Sequence, residues 1–540
     1  MAWPLLLYGG LALLFWGPWV LDDPSSRLLA ANDLDPSAYL WFFAWWPHAL
    51  LDGLDPFYTE RIFVPDGYNL AWVTSMPGPS LLLAPVTLTL GPEVTFNVIA
   101  LAAPALAAWT AFLLCRHVTG SVPASLAGGY LFGFSPYMLS QLRGAPQLAL
   151  IALVPVMALL VVRHVEGSLS DRRFALALAA TFTAQMLTST EILATAVLFG
   201  ALVMLSAYAL YGELRGRLRR TALLCGAALA GTALLASPLL YNVFFRSRTL
   251  PEQALTDFPA DLLSYLVPGP LVALAPERLG VTQPGWATGA AYLGLPLLAL
   301  LGAFAWAQRG DRRARLAGAA FLITAAASLG TALHVAGRDT GVPMPWVVFD
   351  GLPLLRYAIP LRFPAFAFLA AGVMVAMWLA WRPSRARWGL ALAGLALLVP
   401  AVGHREWRTQ LTEVPFFAGD GHERRLAESD HVLTVPTWGR NMHWHAEAGF
   451  SFGLAAGYVG AFPESYQRFA AWRDLLGSPF GGEGVPSPAE LRSFIRAKGV
   501  TAIVVERDRS GRGMELFRSL GVRPVATGGV WLYRLRPPPR

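Results

Sequence analysis

The chain has 540 residues, 55% of them hydrophobic and only 14% charged, with a mean hydropathy of +0.48. That composition excludes an ordinary soluble domain and predicts a polytopic membrane protein. The formal charge of +8 comes almost wholly from arginine, Lys498 being the only lysine. No basic stripe goes with it, so nucleic acid is not an expected partner.

The first apolar segment, Ala2 to Val20, lacks a basic leader and a small-residue cleavage site and reads as a retained span. Asp33-Leu34-Asp35-Pro36-Ser37-Ala38-Tyr39-Leu40-Trp41-Phe42-Phe43-Ala44-Trp45-Trp46-Pro47-His48 follows. Asp35-Pro36 has the form of a helix start, with a carboxylate to cap free amides and a proline where no N–H is needed. Trp41, Phe42, Trp45 and Trp46 do not share one face, which predicts a lateral helix in the outer headgroup layer. Residues 77–90, bounded by Pro and Gly, predict a second lateral helix. Further spans are expected at about 93–115, 121–139, 146–162, 174–188, 190–211, 221–240, 290–307, 316–335, 363–381 and 388–403, making eleven with the first. Cys115 and Cys225 fall near the inner ends of apolar segments, where a structural disulfide is not expected.

Arginine usage orients these spans. Loops 116–120, 163–173, 212–220, 308–315 and 382–387 hold 15 arginines in 39 residues, against 8 in 153 for loops 21–92, 140–145, 241–289 and 336–361. By the positive-inside rule the first set is cytoplasmic. The N-terminus is then cytoplasmic, while the first loop (21–92) and everything after residue 403 lie outside. Residues 404–540 alternate polar and apolar stretches and predict a small α/β domain, with strands at 431–435, 500–505 and 530–533 and helices at 488–497 and 513–520. The expected fold class is therefore an all-α membrane domain over 1–403 plus an extracytoplasmic α/β domain over 404–540.

A span, an external loop with an acid at the head of a lateral helix, a second short helix at Met76-Pro77-Gly78-Pro79-Ser80-Leu81 and a span ending in Arg116-His117-Val118-Thr119-Gly120 resemble the GT-C superfamily of integral-membrane glycosyltransferases. The resemblance covers about residues 1 to 200. That loop typically reads Asp-Glu in the superfamily; here Asp35-Pro36 stands in its place, the second acid is missing, and Asp33 competes for the role. The resemblance implies a bacterial plasma-membrane hexosyl- or pentosyltransferase. Its donor is a polyprenyl-phosphate-linked sugar, and its acceptor is an extracytoplasmic glycan, lipid or protein. Membrane lipid is the other implied partner.

The chemistry of such a transfer needs a base and fixed cations. Asp35 or Asp33 is the expected base, with Glu191 assisting. Arg143 with Gln147, and Arg356 with Arg362, stand at outer turns where guanidinium groups hold phosphate. His48 and Asp261 complete the expected substrate-binding set. Each has a plainer reading: Asp35 as an N-cap, Glu191 as part of a capping box in Thr188-Ser189-Thr190-Glu191, Asp257 and Asp261 as caps of an external helix, the arginines as snorkelling side chains, His48 as a packing residue. Asp33 and Asp35 together suit a divalent cation, which some GT-C members use. His443-Trp444-His445 would place both imidazoles on one face of a strand, but no third ligand follows at a metal-site spacing. A lipid-linked sugar flippase and a non-catalytic cell-envelope scaffold are the other classes compatible with the chain, although no inverted repeat favours the flippase.

Overall fold

The computed structural model describes residues 2–246, 258–275, 289–352, 355–403, 405–437, 439–460, 462–469, 471, 486–507, 517 and 520–535. The chain divides into two compact units. One comprises Met1–Asp22, Asn97–Ala236 and Gln253–Arg408, and the other Asp23–Phe96, Ser237–Glu252 and Thr409–Arg540. The loop after the first span is thus grouped with the tail rather than with the spans.

The first unit is helical. Among the described residues of the whole chain, six helical stretches are long and apolar enough to cross a membrane: Trp3–Val20, Pro92–Thr119, Pro146–Val165, Thr190–Leu210, Gly212–Leu235 and Pro360–Trp381. The chain is a multi-pass membrane protein. The helices Val122–Gly133, Asp171–Met186, Gly294–Ala307, Arg312–Ser328 and Arg385–Ala396 occupy the other expected span positions but have only 12 to 17 residues each. At 1.5 Å per residue even the longest falls short of a ~30 Å hydrocarbon core. Where Val122–Gly133 packs on Pro364–Trp381, two glycines face each other. A Cβ on Gly128 would meet the Gly372 carbonyl at 2.6 Å, and one on Gly372 would meet the Gly128 carbonyl at 2.7 Å. Only glycine allows that approach, the usual means by which membrane helices gain contact without a hydrophobic driving force.

The second unit holds a five-stranded mixed sheet, ordered Val525–Thr527, Val530–Arg534, Ala502–Glu506, His431–Val435, Gly453–Leu454. His431–Val435 runs parallel to both its neighbours, while the last hairpin is antiparallel. Helix Pro488–Lys498 carries a full capping box from Ser487 and Glu490. The three predicted strands and the first predicted tail helix are present; the one expected at 513–520 lies outside the described residues, apart from positions 517 and 520.

The Leu34–Leu51 helix differs from expectation in two ways. It begins before Asp35, with Asp33 in the N-cap position, so Asp35 is in the first turn and does not cap. Its aromatic rings are also inside the protein, with Trp41, Trp45 and Trp46 exposed by 0%, 1% and 2%. Each indole N–H has a protein partner: Trp41 donates to His445 Nδ1, Trp45 to the Pro56 carbonyl and Trp46 to the Ser75 carbonyl, all at 3.1 Å. The polar ends that were expected to seek headgroups are satisfied by the fold itself. Residues 77–90, expected as one lateral helix, form two short helices, Pro77–Leu82 and Ala84–Leu90.

Candidate active site

In the second unit, the start of the Leu34–Leu51 helix meets the start of Arg440–Glu447. Gly439 permits this contact. It has φ +74°, and a Cβ there would lie 3.3 Å from Leu34 Cδ1. Arg440 then reaches Asp33: its Nε donates to Asp33 Oδ2, and its guanidinium also donates to Glu506 Oε1 at 3.0 Å. Burial works against the Arg440 charge, but the hydrogen bond to Asp33 and the two carboxylate charges raise its pKa further. Asp33 is therefore a member of a half-buried ion network.

Asp35 is placed differently. Its residue is exposed, and Tyr458 donates its hydroxyl to Asp35 Oδ1 at 2.9 Å. Burial, the Asp35 charge and this hydrogen bond push the Tyr458 phenol far above its ordinary range, so it remains a fixed donor. Tyr458 thus holds an exposed carboxylate in a fixed orientation.

Two histidines of the Arg440–Glu447 helix have opposite electrostatics. His443 Nε2 lies 2.7 Å from Glu93 Oε1 and 3.8 Å from Glu447 Oε1. Burial disfavours its charged form, but the bond to Glu93 and the charges of Glu447, Glu93 and Asp33 outweigh burial and raise its pKa. Burial pushes the Glu447 carboxyl up as well, with the His443 charge opposing. His445 is brought down to about 4 by burial, opposed by its bond to the Phe452 carbonyl. It accepts from Trp41 at Nδ1 and donates to that carbonyl at Nε2, 2.8 Å away, which fixes a neutral tautomer. Because this segment is helical rather than extended, His443 and His445 point to different faces and cannot share a metal.

Of the two carboxylates, Asp33 faces a guanidinium and Asp35 a phenol, and among the described residues no three His, Cys, Asp or Glu side chains gather to hold a metal ion. His48 lies beside Asp52 at 3.2 Å and packs on Phe450, its pKa lowered mainly by burial.

The remaining expected residues belong to the first unit. Ser189 caps the Thr190–Leu210 helix, accepting from the Ile192 amide, which puts Glu191 at the second helical position rather than the third that a capping box uses. Glu191 is ion-paired with Arg362, and Arg143 with Glu406 at 2.5 Å, all four side chains mostly shielded. Gln147 is half-buried near the start of Pro146–Ala149. Arg356 is exposed, its guanidinium 5.4 Å over the Tyr357 ring. Asp261 is fully buried and accepts from the backbone amides of Leu263 at 2.8 Å and Gly337 at 2.7 Å. Both carboxylate oxygens hold backbone, as the helix-cap reading of that residue expects. Asp257 lies outside the described residues.

Arg440, Tyr458, Glu93 and Glu506 are site members that the sequence did not reveal. Only Glu93 left a local signal, an acid directly after Pro92 at a helix start.

A family model described as "Domain of unknown function (DUF6311)" matches residues 5–402. The chain belongs to this family. Among solved structures, this DUF6311 chain is similar to the archaeal oligosaccharyltransferase AglB from Archaeoglobus fulgidus, in complex with an inhibitory peptide and a dolichol-phosphate. The TM-score is 0.55 at 11% identity, over 99% of this chain and 74% of that one. A second AglB structure, tethered to an acceptor peptide, gives 0.53 at 12% identity over the same shares. The arabinofuranosyltransferase AftD from Mycobacteria gives 0.63 at 15% identity over 99% of this chain, which spans only 41% of AftD. Both are GT-C superfamily membrane glycosyltransferases, and the DUF6311 chain shares their fold. No curated protein sequence matches it.

Proposed function

We propose that the chain is a GT-C-type hexosyl- or pentosyltransferase, moving a sugar from a polyprenyl-phosphate-linked donor to an extracytoplasmic acceptor at a bacterial plasma membrane. The observation that carries this reading is Asp35, an exposed carboxylate held by Tyr458 in the first long loop of a GT-C fold. An acceptor hydroxyl gives its proton to Asp35 as its oxygen bonds to the anomeric carbon of the donor sugar. The anomeric C–O bond to phosphate breaks, and its electron pair leaves with the polyprenyl phosphate. Asp33, tied to Arg440, acts as a positioning residue for the helix start.

Donor binding is a separate assignment within the first unit, where Arg362 and Arg143 hold lipid phosphate in exchange for Glu191 and Glu406. The same reading takes the five shorter helices as further crossings, giving eleven spans, and follows the arginine count in placing the N-terminus in the cytoplasm and residues 404–540 outside.

The test is transfer by purified protein from a panel of radiolabelled polyprenyl-phosphate sugars. Asp35→Asn is expected to abolish transfer, with Asp33→Asn retaining part of it. Wild-type transfer by the double variant would remove Asp35 and Asp33 from the reaction.

A further inference from the structure

The second unit contains an open cavity of about 680 Å³ lined by none of the residues given a role above. It is formed by the turn from Leu54 to Arg61, by Trp45, and by Glu428 and Ser429. Its size lies within the ~300–1,000 Å³ of small-ligand clefts. Three carboxylates line it, but two are matched by cations: Asp55 pairs with Arg246 at 2.7 Å, and Glu428 with Arg61 at 2.5 Å. Glu60 is exposed and has no hydrogen-bond or ion-pair partner among the described residues. The Arg246 guanidinium also sits 5.4 Å over the Tyr58 ring, which holds that ring in place.

This arrangement selects a ligand chemistry. An anionic ligand meets the unmatched Glu60, and an apolar one would strand two ion pairs without water. A hard cation needs six or more oxygen ligands, and two of the three carboxylates here already have guanidinium partners. A sugar hydroxyl both donates and accepts. It matches a rim that carries carboxylates, guanidinium groups and the Ser429 hydroxyl beside Tyr58 and the half-exposed Leu54, over a floor closed by the buried Trp45 and Thr59.

We infer that this cavity is a binding site for a neutral, hydroxyl-rich oligosaccharide, the class of molecule that would serve as acceptor. Only the word acceptor rests on the transferase reading; the binding itself does not.

The experiment is calorimetric titration of the purified full-length protein with maltotetraose, cellotetraose and mannotetraose, against a sulfated tetrasaccharide and calcium chloride. Saturable binding of at least one neutral tetrasaccharide is expected, with the sulfated probe at least tenfold weaker. Leu54→Trp, which fills the cavity from an exposed position, and Glu60→Ala are each expected to weaken binding tenfold or more without lowering the melting temperature. Binding to no neutral tetrasaccharide, binding only of the sulfated probe or of calcium, or binding indifferent to Leu54→Trp would each overturn the inference. Asp35→Asn must leave binding unchanged. An active Asp35→Asn enzyme that still binds sugar would therefore overturn the proposed base and leave this site standing.

Discussion

The Tyr458 hydroxyl donates to Asp35 Oδ1 at 2.9 Å across 423 positions of sequence, joining the tail to the first loop within one compact unit. If this bond aims a base, then removing it lowers turnover without loosening the fold. Tyr458→Phe is expected to reduce kcat about ten- to a hundredfold, in keeping with ~1.5–3 kcal/mol for a hydrogen bond to a charged group. KM and melting temperature are expected to move little. A lower melting temperature at unchanged kcat would make the contact structural only.

Arg440 bridges Asp33 and Glu506, so losing the cation leaves two acids facing each other. With the Arg440 side chain a fifth exposed, solvent screening reduces the penalty for a broken buried pair to about 2–3 kcal/mol for Arg440→Met. Asp33→Asn is expected to be milder, because Glu506 still neutralises Arg440. Chemical denaturation of both single variants and the double variant gives the coupling. Strict additivity would show that the Asp33–Arg440 contact contributes nothing.

The two histidines predict a stability maximum in pH. His443 has a raised pKa in the fold, so its contribution is complete below the ordinary value of 6.5 and is lost as pH climbs through the folded value. Glu93 and Glu447 both face its Nε2, at 2.7 and 3.8 Å. His445 has its pKa lowered to about 4, so between 6.5 and about 4 the unfolded chain binds the extra proton and stability falls as pH drops. Thermal unfolding from pH 4 to 9 is expected to peak near the middle of that range. His443→Gln should flatten the alkaline limb and His445→Gln the acid limb; limbs that survive both changes would assign the pH dependence elsewhere.

What was legible in the sequence followed from periodicity and composition. The first span, the core strands 431–435 and 502–506, and the capped 488–498 helix needed only local pattern, and local pattern sufficed. The burial of Trp41, Trp45 and Trp46 was not legible, because an indole at a membrane surface and an indole bonded to His445, Pro56 or Ser75 have the same sequence signature. Asp33 and Asp35 could be singled out but not told apart, since what separates them is Arg440 and Tyr458, more than four hundred residues away. Whether His443 and His445 share a face was not legible, because a His-x-His run carries no period long enough to tell strand from helix.

In the first unit, the Arg362–Glu191 pair sets up a distinction between binding and structure. If Arg362 receives lipid phosphate, Arg362→Met raises the KM for the donor at least tenfold, and Arg362→Lys recovers only part, because an ammonium lacks the planar fork that matches phosphate. An unchanged KM with a lowered melting temperature would make the pair a structural clasp.

Lys498 provides a direct probe of the second unit, because it is the only side-chain amine in the chain. Its Nζ is bonded to Asp66 at 2.5 Å and lies 3.8 Å over the Tyr466 ring, with the residue 2% exposed. Burial lowers its pKa against the pull of Asp66, so the amine loses its proton more readily than a free lysine; what protects it from acylation is lack of access. Reaction then requires the tail helix to open, and an opening that costs about 3 kcal/mol slows acylation roughly a hundredfold relative to a free lysine. Asp66→Asn removes the ionic partner and is expected to speed labelling well before global unfolding, as read by mass spectrometry of the Lys498 peptide across a denaturant series. Labelling of the native protein at the rate of a free lysine would show that the contact joining Asp66 in the first loop to the Pro488–Lys498 helix does not persist in solution.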